Sequence, residues 1–303
     1  MKNKILTFLG ALLFAASAQA KLNVVATTSD LAAIAKEIGG DKITLATLAK
    51  PTEDPHFVDA KPSFISKLNR ADMVIEGGAE LEIGWLPALL DQSRNEKIVA
   101  GAPGHVNCAQ GVPLLDVPAT LDRSRGDIHA AGNPHFVISP SNGKIIAQTI
   151  AAALAENDPA NADAYRANLK KFLAALDAKL AEWRQKLAPF KGRSVVAYHD
   201  SWPYFAREFG LKIELFLEPK PGIPPTPSHL AEVITKMKAE QVNVIIVDAY
   251  LNHRTAETVA RETGATVVPV TQFPGGLKGT DGGYIELIDS LVNSLAAALA
   301  EKK

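Results

Sequence analysis

Residues 163–187 read DAYRANLKKFLAALDAKLAEWRQKL, and this stretch predicts a single helix of about 25 residues, about 37 Å long at 1.5 Å per residue. Pro189 and Gly192 end the pattern. Strand and helix patterns alternate on both sides of this helix. We therefore expect a stiff helix over residues 161–189 that joins two α/β lobes and limits how far the cleft between them can close.

Before the helix, the sequence predicts an N-terminal α/β lobe over residues 21–160. Strands are predicted at 22–26, 43–48, 73–75 and 97–99. Helices are predicted at 31–38, 62–69, 83–90 and 143–156. Residues 101–140 form a long connection rich in proline and glycine, and connections of this length are usually functional or mobile.

After the helix, the same alternation predicts a C-terminal α/β lobe over residues 190–303. Its strands are predicted at 194–198, 212–216, 244–248 and 266–270. Its helices are predicted at 202–209, 228–240, 255–263 and 284–300. Strands that alternate with helices form parallel βαβ units. The predicted fold class is therefore α/β, with two parallel-sheet βα lobes joined by a single long helix.

Residues 1–20 are predicted to be a signal peptide rather than part of the fold. Lys2 and Lys4 form a basic segment, and an apolar run follows at residues 5–16. This run is shorter than the roughly 20 residues that a membrane span needs. Ala18-Gln19-Ala20 fits the small-x-small cleavage rule, and no cysteine lies there to carry a lipid anchor. We therefore expect an exported protein, free in the periplasm.

The composition excludes some classes of partner. The formal net charge is −1, and 47% of the residues are apolar and 21% charged. This balance gives no reason to expect binding to nucleic acid or to an anionic membrane surface. Cys108 is the only cysteine, so it forms no disulfide within the chain.

Three histidines have a sequence context that predicts a metal site. Pro55-His56-Phe57 and Pro134-His135-Phe136 repeat one tripeptide, and His199 follows the predicted strand at 194–198. Side chains near strand ends of an open α/β sheet can converge on one crevice. Imidazole nitrogen suits zinc, copper, nickel and iron, whereas manganese favours oxygen donors. The sequence therefore predicts a site for Zn²⁺.

Other residues near these histidines are candidates for supporting roles. His105 and His129 lie in the long connection and could capture metal before it reaches the cleft, so His129 is an auxiliary ligand candidate. Metal-bound imidazoles normally need an acceptor for their second nitrogen. Glu53, Asp59 and Asp200 are candidate acceptors because they are close in sequence to His56 or His199.

Taken together, these motifs resemble the ZnuA/TroA-like zinc- and manganese-binding proteins of ABC transporters (cluster A-I). The resemblance covers essentially the whole chain after residue 20. Its specific parts are Pro55-His56, Gly132-Asn133-Pro134-His135, Tyr198-His199-Asp200-Ser201, the segment 218–227 and Gly282-Gly283-Tyr284. In that family the metal lies between two lobes bridged by a long helix. The resemblance implies that His56 and His135 bind from the first lobe and His199 from the second.

The chain departs from the family pattern at the fourth ligand. The family commonly supplies an aspartate from the loop after the last strand, but here that loop reads Val270-Thr271-Gln272-Phe273. The fourth position is therefore left to Gln272, to Asp281 in the same loop, or to water. The His/Asp-rich insertion that many zinc-specific relatives carry after the first histidine is absent.

The function expected from these features is a periplasmic substrate-binding protein that delivers Zn²⁺ to an inner-membrane ABC permease. Mn²⁺ is a less favoured cargo, the protein is expected to be a monomer, and a periplasmic metallochaperone stays open as a second partner. The alternative is a zinc hydrolase, since three histidines with an open fourth position also describe a catalytic site. No general base or substrate pocket is evident in the sequence, so we expect no enzymatic activity.

Overall fold

The structure is a computed structural model that describes residues 20–120, 126 and 128–301. The predicted signal peptide, apart from Ala20, lies outside the described residues. Within the described part of the chain, no helix combines the length and the apolar character that a membrane span requires.

In the described part of the N-terminal lobe, four strands and four α-helices precede the long helix. Its strands are β1 (Leu22–Ala26), β2 (Ile43–Thr47), β3 (Met73–Glu76) and β4 (His105–Asn107). Its helices are α1 (Ser29–Gly39), α2 (Pro62–Asn69), α3 (Leu86–Ser93) and α4 (Pro140–Asn157). The strands form one parallel sheet in the order β2-β1-β3-β4.

The predicted strand at 97–99 is wrong. Residues Glu96–Ile98 form a 3₁₀ turn, in which the Asn95 side chain accepts a hydrogen bond from the Lys97 amide. Asn95 also donates hydrogen bonds to the carbonyls of Leu68 and Ala71, at 2.8 and 2.7 Å, which anchors the turn. The fourth strand is β4, inside the long connection, where it pairs with β3.

The helix predicted at 83–90 begins three residues later, at Leu86. Ala79 and Glu80 have φ angles of 51° and 68°, so the chain turns here before a helix can start. The buried Glu82 carboxylate stabilises this turn by accepting hydrogen bonds from the amides of Gly77 and Gly78, at 2.8 and 3.1 Å.

The C-terminal lobe repeats the arrangement of the first. Its strands are β5 (Ser194–Ala197), β6 (Lys212–Phe216), β7 (Val244–Asp248) and β8 (Thr266–Val270). Its helices are α6 (Pro203–Phe209), α7 (Pro227–Ala239), α8 (His253–Thr263) and α9 (Tyr284–Ala300). The sheet is parallel in the order β6-β5-β7-β8, which corresponds strand by strand to the first sheet.

One long helix, α5 (Ala162–Leu187), packs against both lobes. Its buried side chains recur at helical spacing and share one face: Tyr165, Phe172, Leu176, Leu180, Trp183 and Leu187. Asn168 donates a hydrogen bond to the Ile38 carbonyl in α1, at 3.0 Å. Trp183 donates one to Asp289 in α9, at 2.9 Å. The largest hydrophobic cluster includes residues of both lobes, so the predicted fold class of two α/β lobes and one long helix is confirmed.

Candidate metal centre

The three predicted histidines meet between the lobes. Each of His56, His135 and His199 offers a ring nitrogen, and these atoms all lie within 4.8 Å of one another. The ring centroids are 5.0 Å apart for His56 and His135, 5.7 Å for His56 and His199, and 5.4 Å for His135 and His199. We call these three residues the histidine cluster. Two of them come from the N-terminal lobe and one from the C-terminal lobe.

His56 lies in the loop after β2, and Asp54 fixes both its backbone and its ring. The Asp54 Oδ1 atom accepts a hydrogen bond from the His56 amide at 3.0 Å and lies 2.9 Å from its Nδ1 atom. The Trp85 indole donates a hydrogen bond to the Pro55 carbonyl at 2.8 Å, which ties the loop to the N-terminal lobe. Since a carboxylate only accepts, Nδ1 carries the proton and Nε2 is the nitrogen left free for a metal ion.

His199 follows β5 by two residues, and Glu218 is its acceptor. The Glu218 Oε2 atom lies 2.7 Å from the His199 Nδ1 atom. Burial lowers the pKa of His199, but the hydrogen bond and charge of Glu218 outweigh burial, so this pKa lies above its usual value. Here too the carboxylate holds the Nδ1 proton and leaves Nε2 for an ion.

His135 is the most buried member of the cluster, with 5% of its surface exposed. Burial, followed by the neighbouring His56 and His199, lowers its pKa well below the usual value, so its ring is neutral at pH 7. Its Nε2 atom is buried and has no hydrogen-bond partner among the described residues. A neutral, buried imidazole nitrogen that forms no hydrogen bond is a suitable metal ligand.

The loop that carries His135 is attached to the C-terminal lobe. Asn133 accepts from the His135 amide at 3.0 Å, and its own amide group donates to the Asp200 carbonyl at 2.8 Å. The Tyr204 hydroxyl donates to the Asn133 carbonyl at 2.7 Å. The Tyr284 hydroxyl of α9 donates to the Val137 carbonyl at 2.6 Å. These bonds position His135 opposite His199 of the C-terminal lobe.

The two candidates for a fourth ligand lie in different environments. Gln272 is 3% exposed, its side chain faces the His135 ring, and its Nε2 atom donates a hydrogen bond to Asp248 Oδ1 at 3.2 Å. Asp281 is exposed in the turn beside Gly275, and its carboxylate does not join the histidine ligand atoms. The structure therefore brings Gln272, and not Asp281, to the centre.

His129 lies beside the cluster without joining its ligand atoms. Its ring centroid is 5.3 Å from that of His56. Burial, with smaller contributions from His56 and His199, lowers its pKa to about 4. It lines both a cavity of about 500 Å³ next to His135 and His199 and a cavity of about 300 Å³ next to His56. His105, in contrast, lies in β4 with its ring between Glu76 and the Ile98 carbonyl.

Three carboxylates near the cluster were not predicted from the sequence. Asp54 and Glu218 take the acceptor roles that we expected of Glu53, Asp59 and Asp200.

Asp248, the third, ends β7 and is 1% exposed. Burial raises its pKa to about 7, against the lowering effect of Gln272 and His199. Its position at the carboxyl end of a central parallel strand is the one signal that could have pointed to it.

Comparisons with known proteins show the family of this chain. The sequence model of the family described as "ZnuA: Zinc-uptake complex component A periplasmic" matches residues 24–298. The chain belongs to this family. A crystal structure of ZnuA is 27% identical, with a TM-score of 0.79, and the match covers 93% of this chain and 100% of that one. The ZnuA-family chain is therefore a metal-binding component of an ABC transporter, with a membrane permease as its partner, and not an enzyme.

Other relatives bind different metals, according to their names. The manganese ABC transporter substrate-binding lipoprotein scaA of Streptococcus gordonii is 27% identical, over 94% of this chain and 91% of its own length. The iron-binding protein YfeA of Yersinia pestis is 29% identical, over 93% of this chain and 87% of its own. FpvC of Pseudomonas aeruginosa, solved with Mn²⁺, is 26% identical with a TM-score of 0.75, covering 92% of this chain and 98% of its own. Membership of the ZnuA family thus establishes a metal cargo without naming the metal.

Proposed function

We propose that this protein binds one Zn²⁺ ion between its lobes in the periplasm and delivers it to an inner-membrane ABC permease. The observation that carries the proposal is the group of three histidine nitrogens within 4.8 Å of one another. Nitrogens about 2.1 Å from a tetrahedral zinc ion are about 3.4 Å apart. Small side-chain movements of about 1 Å would therefore bring these three to bonding distance.

The donor set supports zinc over manganese. Three imidazole nitrogens make up the group of metal-binding atoms found among the described residues, and carboxylate oxygens do not join it. Manganese and magnesium favour carboxylate and carbonyl oxygen, whereas zinc is well served by imidazole. Asp54 and Glu218 lie behind the rings as acceptors, where they neutralise the charge of the ion without entering its coordination.

The ion would act as a link between the lobes. His56 and His135 belong to one lobe and His199 to the other, so an ion bound by all three stabilises one relative position of the lobes. At a thousandfold excess over the dissociation constant, binding to the native state alone adds about 4 kcal/mol to the free energy of unfolding. The lobes share a core along α5, which limits the motion that release requires.

We further propose that His129 is an auxiliary ligand on the route of the ion. Its ring lies beside His56 and lines both cavities that adjoin the cluster. Since its pKa is lowered to about 4, the ring is neutral and available to a metal at pH 7.

The first experiment is to measure the metal content of the exported protein and to titrate the apo form with zinc in competition with a chelator. We expect about one zinc per chain, removed by chelation and regained tightly. In His199→Ala the affinity should fall by more than the 10- to 100-fold that is typical when an acceptor behind a ligand is lost.

His253→Ala is the matched control, because His253 begins α8 outside the cluster, and it should bind zinc like the wild type. Unchanged affinity in His199→Ala would refute the assignment of the site. A manganese- or iron-loaded protein that rejects zinc would refute the choice of metal.

A further inference from the structure

Asp248 and Gln272 are brought together by the pairing of β7 and β8. Asp248 pairs with Val270 in the parallel ladder, and the Ala249 amide donates to the Val270 carbonyl at 2.9 Å. Gln272 follows Val270 by two residues. Both side chains are almost fully buried, at 1% and 3% exposure, so neither hydrogen-bonds to bulk water. Their mutual contact therefore fixes how each is oriented.

The hydrogen bond between these two side chains runs from the Gln272 Nε2 atom to the Asp248 Oδ1 atom. Because an amide nitrogen donates and an amide oxygen accepts, this bond fixes which end of Gln272 faces Asp248. The two ends of an amide point in different directions from one carbon. The Gln272 side chain also interacts with the His135 ring, and with its nitrogen held by Asp248 its oxygen is the end left for that interaction. The amide oxygen is the end that has lone pairs for a metal ion.

The surroundings of this pair contain unusual buried polar atoms. Among the described residues, His135 Nε2 and Ser201 Oγ are buried side-chain atoms with no hydrogen-bond partner, and Trp202 Nε1 and Asp248 Oδ2 have only each other. One belongs to a member of the histidine cluster, and two others lie in the loop that His199 begins. An unpartnered buried polar atom is destabilising, so its presence in a native fold calls for an explanation such as a bound ion.

We propose that Asp248 is a positioning residue that turns the Gln272 carbonyl oxygen toward the ion, making Gln272 the fourth ligand. This inference rests on the proposed function and adds to it a determinant of metal choice. Asp248 acts through Gln272, because its own oxygens do not join the histidine ligand atoms. A neutral oxygen completes a site of three nitrogens without the negative charge of a carboxylate, so imidazole nitrogen remains the main donor to the ion.

A double-mutant cycle on zinc affinity tests the inference. Asp248→Asn keeps the shape of the side chain but lets it donate to the Gln272 oxygen, so the amide can turn over. We expect Asp248→Asn to weaken zinc binding about 10- to 100-fold, as is typical when the group behind a ligand is changed. Gln272→Ala should cause a loss of similar size. In the Gln272→Ala background, Asp248→Asn should cause no further loss, because its effect passes through Gln272.

The visible absorption spectrum of the Co²⁺-loaded protein gives a second readout that a purely structural role would not change. Gln272→Ala and Asp248→Asn should alter the spectrum in the same way, since both remove the same oxygen ligand. Additive losses in the cycle, or a wild-type affinity and spectrum in Asp248→Asn, would overturn the inference while leaving the three-histidine site intact. Failure of the wild-type protein to bind zinc would overturn both, so the two failures are distinguishable.

Discussion

In the N-terminal lobe, both histidines of the cluster lie on loops well beyond the sheet. β2 ends at Thr47, nine residues before His56, and β4 ends at Asn107, 28 residues before His135. In the C-terminal lobe, β5 ends at Ala197, two residues before His199. Asp248 is the last residue of its strand, and Gln272 follows its strand by two residues. The two sheets have the same strand order, but the N-terminal lobe presents its cluster histidines on long loops. The C-terminal lobe presents its site residues at or near the ends of strands.

This difference shows how each lobe must fix its ligands. Close to a strand end, the backbone ladder positions the side chain, and only the ring orientation of His199 needs a partner. On a long loop, the backbone itself must be held. Asp54 does this for His56 through the amide as well as the ring, and the Trp85 indole holds the Pro55 carbonyl. We infer that Asp54 must hold both the backbone and the ring of His56, whereas Glu218 only orients the ring of His199.

The largest effect expected from this comparison concerns the two acceptors. Asp54→Ala should weaken zinc binding about 100-fold and Glu218→Ala about 10-fold, within the range typical of such partners. The reason for the difference is that Asp54→Ala also releases the His56 backbone, whereas β5 still positions His199 after Glu218→Ala. Competitive zinc titrations of the two variants, side by side with the wild type, measure both losses.

Asp289→Ala is a suitable control for these variants. It removes a carboxylate that accepts a hydrogen bond from Trp183 on α5, away from the histidine cluster, and it should leave zinc affinity unchanged. Equal losses in Asp54→Ala and Glu218→Ala would contradict the idea that the loop needs more support than the strand end.

Much of this architecture could be predicted from the sequence, because hydrophobic periodicity reports regular, buried elements. β7, with five buried residues, and α5, with one apolar face, are examples. β4 could not be recognised because it is only three residues long. It places the polar His105 and Asn107 on either side of one buried valine. At 97–99 the sequence predicted a strand that does not form. Ile98 is buried but Val99 is 48% exposed, and the short apolar pair belongs to a turn instead.

The residues of the site also divide into those that could be predicted from the sequence and those that could not. The three histidines could be predicted because their sequence context and the family resemblance both marked them. Asp54 lies only two residues before His56. The sequence does not distinguish it from Glu53 and Asp59 as the acceptor.

The acceptor of His199 could not be predicted, because proximity in sequence is a poor guide to contact in space. Asp200 is next to His199 in the chain, yet the acceptor is Glu218, 19 residues away and beyond another strand. Asp248 meets Gln272 only because parallel strands align their carboxyl ends.

The pH dependence of zinc binding should reveal the same contrast between lobes. A histidine must lose its proton to bind metal, so a raised pKa opposes binding at low pH. Glu218 raises the pKa of His199, whereas burial lowers that of His135 well below its usual value. We therefore expect the affinity to fall by up to about tenfold per pH unit as the pH drops below the raised pKa of His199, beginning above about 6.5.

In Glu218→Ala the pKa of His199 should fall, so the pH at which affinity begins to decline should move lower. Equilibrium dialysis with zinc between pH 8 and 5.5 measures both profiles, with Asp289→Ala as the control. The same onset in wild type and Glu218→Ala would show that a different group carries the displaced proton.

The smallest effect at equilibrium is expected at His129, which lies beside the cluster rather than in it. An auxiliary ligand on the route of the ion speeds entry and exit equally, so its loss should change the dissociation constant by about threefold or less, below the loss caused by removing an acceptor. Both rate constants, measured by stopped-flow exchange with a chromophoric chelator, should decrease together in His129→Ala. His129→Phe keeps a ring between the two cavities without a metal-binding atom, so it should also be slow. Faster exchange in His129→Ala, with slow exchange kept in His129→Phe, would instead make this ring a steric gate on the N-terminal side of the cleft.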